Sequence, residues 1–140
     1  MILSARPLPI IEAYDRPFWE AVSLRTFSLQ QCDACIHVWY PPGPVCPRCL
    51  SEKWQWRPVT GKGRIVAWTT FHRQYFEEFP VPHVVVSVEL EEGPLVIADL
   101  ANSGTAQLRL DAPVSIRYVP VTSGTTEWLI YQWVLDTNES

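Results

Sequence analysis

The chain has 140 residues, 47% apolar and 19% charged, with a formal charge of −4, which is enough for one core and excludes two large independent domains. No apolar run approaches the ~20 residues needed to cross a bilayer, and the first residues lack a secretory apolar segment, so a soluble cytoplasmic protein is expected. The acidic total argues against a general binder of nucleic acid or anionic membrane, because phosphate affinity comes from clustered Lys and Arg.

Residues 1–30 read as an arm followed by a short helix. Asp15 is placed to cap, Pro17 falls in the first turn, and Phe18 and Val22, with Ala21, make the apolar side. Thr26 to Gln30 then alternates and delivers an extended chain into Cys32.

Residues 31–52 hold all four cysteines, as Cys32-x-x-Cys35 and Cys46-x-x-Cys49. Two such turns present two thiolate pairs to one tetrahedral Zn²⁺ once a hairpin brings them together, and Tyr40-Pro41-Pro42-Gly43-Pro44 supplies the turn chemistry. Two disulfides would suit a secreted chain, and a redox dithiol needs only one pair. His37 could replace a cysteine as ligand, but with four thiolates available it reads as a polar ribbon residue, and a closed four-thiolate site has a structural role.

From residue 53 to 140 the pattern has period two. Strands are expected at about 54–59, 63–73, 83–90, 94–101, 114–120 and 127–135, with turns at Glu91-Glu92-Gly93-Pro94 and around Val119 to Gly124 and a connection from Gly104 to Pro113. The last five strands suit an OB-type barrel, with a small sandwich as the structural alternative, so the fold class is mainly β: a short helix, a rubredoxin-like zinc ribbon and a five-stranded OB barrel. On the first barrel strand, strict alternation would put Arg64, Val66, Trp68, Thr70 and His72 on one face, and Ile65, Ala67, Thr69, Phe71 and Arg73 on the other.

Charge and aromatic content are uneven. Residues 48–73 carry six basic side chains against Glu52, +5 there and −9 elsewhere. Arg48, Lys62, Arg64 and Arg73, interleaved with Trp68, Phe71 and Tyr75, combine cations with apolar surface, as a ligand with a polyanionic end and a long apolar arm requires. Trp19, Trp54, Trp56, Trp128 and Trp133 are candidate partner contacts, Trp being enriched at interface hot spots. No cysteine is spare, and Ser51, Ser87, Ser103, Ser115 and Ser123 lack a nucleophile-elbow sequence. His72 and His83 are available as general bases and Asp99 follows the third barrel strand, yet nothing in the sequence assembles them.

Pro17-Phe18-Trp19-Glu20-Ala21 before the ribbon, Cys32-x-x-Cys35 with Tyr40-Pro41-Pro42, Cys46-Pro47-x-Cys49, Gly61-Lys62-Gly63, Thr69 to Arg73, Val88-Glu89-Leu90 and Glu92-Gly93-Pro94 occur in this order. In these features the chain, over about residues 15–120, resembles the zinc-ribbon plus OB-fold proteins associated with acyl-CoA metabolism, long catalogued as a domain of unknown function. The resemblance implies a non-catalytic subunit that binds acyl-CoA and joins a thiolase-like protein; the partner would condense acyl groups or, in steroid side-chain breakdown, split an aldol adduct. The chain departs from that pattern at Ile36 and Leu50, where the family places Gly, and at His83, where it often has Tyr or Phe. Two other readings compete: a nucleic-acid-binding ribbon and barrel using the basic stretch, and a stand-alone acyl-thioester hydrolase or lyase.

Overall fold

A computed structural model describes residues 3–4, 9–101, 108–123 and 125–136. Ser103, Gly104, Gly124 and most of the expected arm before residue 9 lie outside the described residues. The elements in chain order are β1 (Leu3–Ser4), α1 (Arg16–Ser23), β2 (Ser28–Cys32), β3 (Val38–Trp39), β4 (Trp54–Pro58), β5 (Lys62–Phe71), β6 (His83–Leu90), β7 (Leu95–Asp99), β8 (Pro113–Ser123) and β9 (Thr126–Leu135).

Helix α1 forms because Pro17 sits in the first turn, where no amide partner is needed, and because Phe18 and Val22, four residues apart, bury together. Asp15 occupies the cap position with helical backbone torsions and its side chain makes no capping bond. The expected cap is therefore corrected: the entry is held by the Glu12 carbonyl, which accepts from the amides of Asp15 and Arg16. Arg25, at φ 60°, ends the helix.

β3, β2 and β4 form one antiparallel sheet, with Leu29 opposite Arg57 and Cys32 opposite Trp54. A boundary at residue 53 assigns β4 to the barrel, but its hydrogen bonds assign it to the ribbon's sheet. Gln30, fully buried, exchanges two hydrogen bonds with the backbone of Gly43, at 2.8 and 2.9 Å, and so fastens the proline-rich turn to β2.

The barrel follows OB order. β5, β6 and β7 make a meander, β8 and β9 a hairpin, and β8 returns to pair with β5. Closure comes from a parallel bridge between Leu100 and Trp133, where the Ala101 amide donates to the Trp133 carbonyl at 2.8 Å. Gly61 and Gly63 allow β5 to start where it does. Gly61 has φ 72° beside Ile116, and a Cβ on Gly63 would stand 2.3 Å from the Glu89 carbonyl oxygen.

A bulge between Ile65 and Ala67 breaks the alternation of β5. Ile65, Trp68 and Thr70 pair with Val88, Val86 and Val84, the buried row of β6, whereas Arg64, Ala67, Thr69 and Phe71 pair with Glu89, Ser87, Val85 and His83. The strict alternation expected from sequence is corrected: one extra residue, Val66, turns the second half of the strand over. Barrel valines share one core with Phe18, Val22, Phe27 and Leu29, so helix and ribbon are packed into the barrel's own interior.

Candidate metal centre and ligand surface

The sulfur atoms of Cys32, Cys35, Cys46 and Cys49 all lie within 4.8 Å of one another, and Cys32 to Cys49 and Cys35 to Cys46 are each 3.6 Å apart. Four sulfurs held 2.3 Å from one ion in a tetrahedron would stand about 3.8 Å apart, so the set fits zinc. Each knuckle aims amides at sulfur: Ala34 and Cys35 donate to Cys32 Sγ, and Arg48 donates to Cys46 Sγ. The Cys35 amide lowers the Cys32 thiol to about 7, the direction a thiolate ligand requires, whereas, against the Ser51 backbone, hydrogen bonding to Cys32 and burial push the metal-free Cys49 thiol up to about 12. Ile36 and Leu50 close the knuckles by donating to the carbonyls of Cys32 and Cys46, at φ 70° and 66°. Bound there, zinc would be shut in by four thiolates and would supply structure rather than chemistry.

Trp39 and Trp54 pack edge to face beside the cysteines, and Trp54 donates to the Pro44 carbonyl at 2.8 Å. Trp54 is thus part of the wall around the thiolates. Trp19 and Tyr131 lie 5.8 Å apart between centroids, and Trp56 packs against the core. Trp128 lines a shallow depression with Arg25 and Leu129. Trp133 is 0% exposed, which corrects its assignment as a partner contact: it points into the barrel, where it is among the largest buried side chains.

The seven ligand candidates do not converge. Arg48 lies in a depression with His37 and Glu92. Lys62 donates to Ser115 Oγ, and Arg64 bridges Glu89 and Asp111, two carboxylates that neutralise it. Phe71 stands at the other end of β5, about 30 Å along the strand from Lys62 and about 23 Å from Arg64 at the usual rise per residue. Trp68, 39% exposed, is on the opposite face of the sheet from Phe71.

Phe71, Arg73 and Tyr75 do come together, joined by Phe76, Phe79, Val81 and His83 around a cleft of about 240 Å³. His83 stacks on Phe71 and Phe79, with centroids 6.0 and 5.2 Å apart, and the Arg73 guanidinium lies 5.2 Å over the Tyr75 ring. Sequence reasoning missed Phe76 and Phe79; their signal was an aromatic pair three residues apart around two glutamates, a spacing the Phe79 to Phe76 backbone bond turns into a contact. His83 Nε2 stands 3.6 Å from Asp99 Oδ2, and Gln132 donates to the same oxygen at 3.0 Å. His72 is exposed just past the end of β5.

Comparison with known proteins matches residues 19–55 to the rubredoxin-like zinc ribbon domain of ChsH2 and residues 56–119 to the C-terminal OB-fold domain of ChsH2. A probable enoyl-CoA hydratase alpha subunit of Thermomonospora curvata is 33% identical over 115 residues, 81% of this chain and 36% of the relative. A 3-oxo-4,17-pregnadiene-20-carboxyl-CoA hydratase alpha subunit of Mycobacterium tuberculosis is 25% identical over 120 residues, 85% of this chain and 37% of the relative. The chain thus spans little more than a third of these curated relatives. A chain of the Ltp2-ChsH2(DUF35) aldolase superposes with a TM-score of 0.79 at 26% identity, covering 91% of this chain and 98% of that one. Among the described residues no helix is long and apolar enough to cross a membrane.

Proposed function

The chain belongs to the ChsH2 family of paired zinc-ribbon and OB-fold domains, and from that membership we propose that it is a non-catalytic, acyl-CoA-binding accessory subunit that docks on a thiolase-like enzyme. The observation that carries the reading is the end-to-end likeness of ribbon and barrel together to a chain of an aldolase complex. The enzyme served would make or break a carbon–carbon bond next to a thioester, with steroid side-chain degradation in the cytoplasm as its setting. Zinc held by Cys32, Cys35, Cys46 and Cys49 keeps the ribbon folded. Trp56 and Trp128 are proposed partner contacts, and Phe71, Arg73 and Tyr75 proposed ligand contacts.

The curated relatives favour a second reading, in which the enzyme served is a hydratase. Nearly two thirds of each relative has no counterpart here, so its hydratase chemistry can reside in that remainder. Co-expression with thiolase-like and hydratase-like candidates, followed by gel filtration and calorimetry with CoA esters, separates the two. A stable complex with a thiolase-like protein supports the first reading and one with a hydratase-like protein alone the second; a chain that joins neither and ignores CoA esters refutes both.

A further inference from the structure

We propose that Cys49 is an oxidation-sensitive modification site, at which hydrogen peroxide joins Cys49 to Cys32 as a disulfide and so unfastens the ribbon from its metal. The proposal goes beyond the accessory-subunit reading and does not depend on it.

Access singles out Cys49 among the four sulfurs. Cys32 and Cys46 are 1% and 0% exposed and Cys35 is half-buried, whereas Cys49 is exposed, as are Pro47, Arg48 and Leu50 around it. The two buried sulfurs are also tied by amides, from Ala34 and Cys35 to Cys32 Sγ and from Arg48 to Cys46 Sγ. Reactive cysteines are partly exposed and stand beside positive charge. Arg48 adjoins Cys49 in the chain and, among the described residues, makes no ion pair, in contrast to Arg64 with its two carboxylates. In the metal-loaded ribbon the Cys49 sulfur is a thiolate outright, the form that oxidants attack, so the high value of its free thiol does not shield it.

A second sulfur is in place to complete the reaction. Cys32 Sγ lies 3.6 Å from Cys49 Sγ on the facing knuckle, so the pair must approach by only about 1.5 Å to bond. The Cys49 thiolate attacks one peroxide oxygen: an S–O bond forms, the O–O bond breaks, and the departing hydroxide takes a proton to become water. Cys32 Sγ then attacks the Cys49 sulfur: an S–S bond forms, the S–O bond breaks, and a second hydroxide leaves and is protonated. Two thiolates are oxidised to one disulfide, and one peroxide is reduced to two waters. Half of the donor set is thereby lost, and the ribbon loses its hold on the ion. The change does not stay at the surface. Cys32 ends β2, the strand that carries buried Leu29, and it pairs with Trp54, which packs against Trp39.

Hydrogen peroxide added to the full zinc-loaded chain tests this, with zinc release read by a chromogenic chelator and disulfides mapped by mass spectrometry of peptides. Release should rise together with a Cys32–Cys49 disulfide, and dithiothreitol with added zinc should reverse both. Cys49→His keeps four zinc ligands without the exposed sulfur and should release the ion about ten-fold more slowly, whereas Cys35→His should release it at nearly the unaltered rate. Should either variant fail to hold zinc, iodoacetamide labelling of the unaltered loaded chain decides instead, with Cys49 expected to be alkylated first. Zinc retained under peroxide, equal release from the two variants, a disulfide confined to other pairs, or first alkylation at another cysteine overturns the proposal. Partner and CoA-ester binding by the reduced chain tests the accessory-subunit reading separately, so failure of one is distinguishable from failure of the other.

Discussion

A β-branched or γ-branched side chain at positive φ sets Cβ against the following carbonyl, at a cost of roughly 1–2 kcal/mol that glycine avoids. Ile36 and Leu50 accept that cost in both knuckles, at φ 70° and 66°, because only this torsion lets their amides reach the carbonyls of Cys32 and Cys46 while the preceding amides face sulfur. Their side chains are exposed, so little apolar burial offsets the strain. Glycine would relieve it, less the roughly 0.5–1 kcal/mol of extra chain entropy glycine loses on folding. Ile36→Gly and Leu50→Gly should therefore each raise stability by about 0.5–1 kcal/mol in guanidinium unfolding of the metal-bound protein. A loss of stability in both would show that the side chains contribute a contact larger than the strain. The sequence marked these two positions as departures from the family's Gly, but not that Ile36 and Leu50 would keep the glycine-like torsion, which the knuckle hydrogen bonds impose on them.

At the scale of elements, the ribbon meets the barrel where the turn after β3 touches β9, and the Tyr40 and Tyr131 hydroxyls lie 2.9 Å apart there. Burial pushes both phenols above their ordinary value of 10, Tyr131 the further, with its neighbour Tyr40 adding to the effect. A phenol with a raised folded-state value keeps its proton while the unfolded chain loses it. The stability it confers is complete below pH 10 and falls as pH rises toward the folded value. Unfolding free energy should therefore decline above pH 10. The pair Tyr40→Phe, Tyr131→Phe should flatten the decline, with little change at pH 7 because both hydroxyls are removed together. Tyr118, pushed up to about 12 by burial, leaves a residual slope. An unaltered alkaline limb in the double variant would assign the effect to other groups. This seam was not legible: no periodicity in the sequence announces a contact 91 residues apart. The bulge at Val66 was hidden for a related reason, since an inserted residue changes pairing without changing composition. What did read through was local. Six strands fell near their expected places because each is a short run of period-two apolar residues bounded by Gly or Pro.

For the molecule as a whole, the decisive feature is that ribbon and barrel share one interior. Phe18 from the helix, Phe27 just before β2 and Leu29 on β2 belong to the same buried cluster as Trp133 and the barrel valines, while the second cluster, around Cys32, Trp39 and Cys46, is built on the sheet that carries Leu29. A structural zinc site contributes on the order of 10 kcal/mol at neutral pH, comparable with the whole stability of a small domain. Without the ion, four clustered thiols and two strained knuckles have nothing to hold them, and β2 loses the order that keeps Leu29 and Phe27 in place. The barrel then loses part of its own core, which makes metal removal a global event. Treatment with a strong zinc chelator under reducing conditions should lower the melting temperature of a single transition seen both by far-ultraviolet dichroism and by tryptophan fluorescence, and Cys46→Ser should do the same. Were the far-ultraviolet transition to stay at its original temperature while only fluorescence changed, the ribbon would be an independent unit and the shared core would not couple the two.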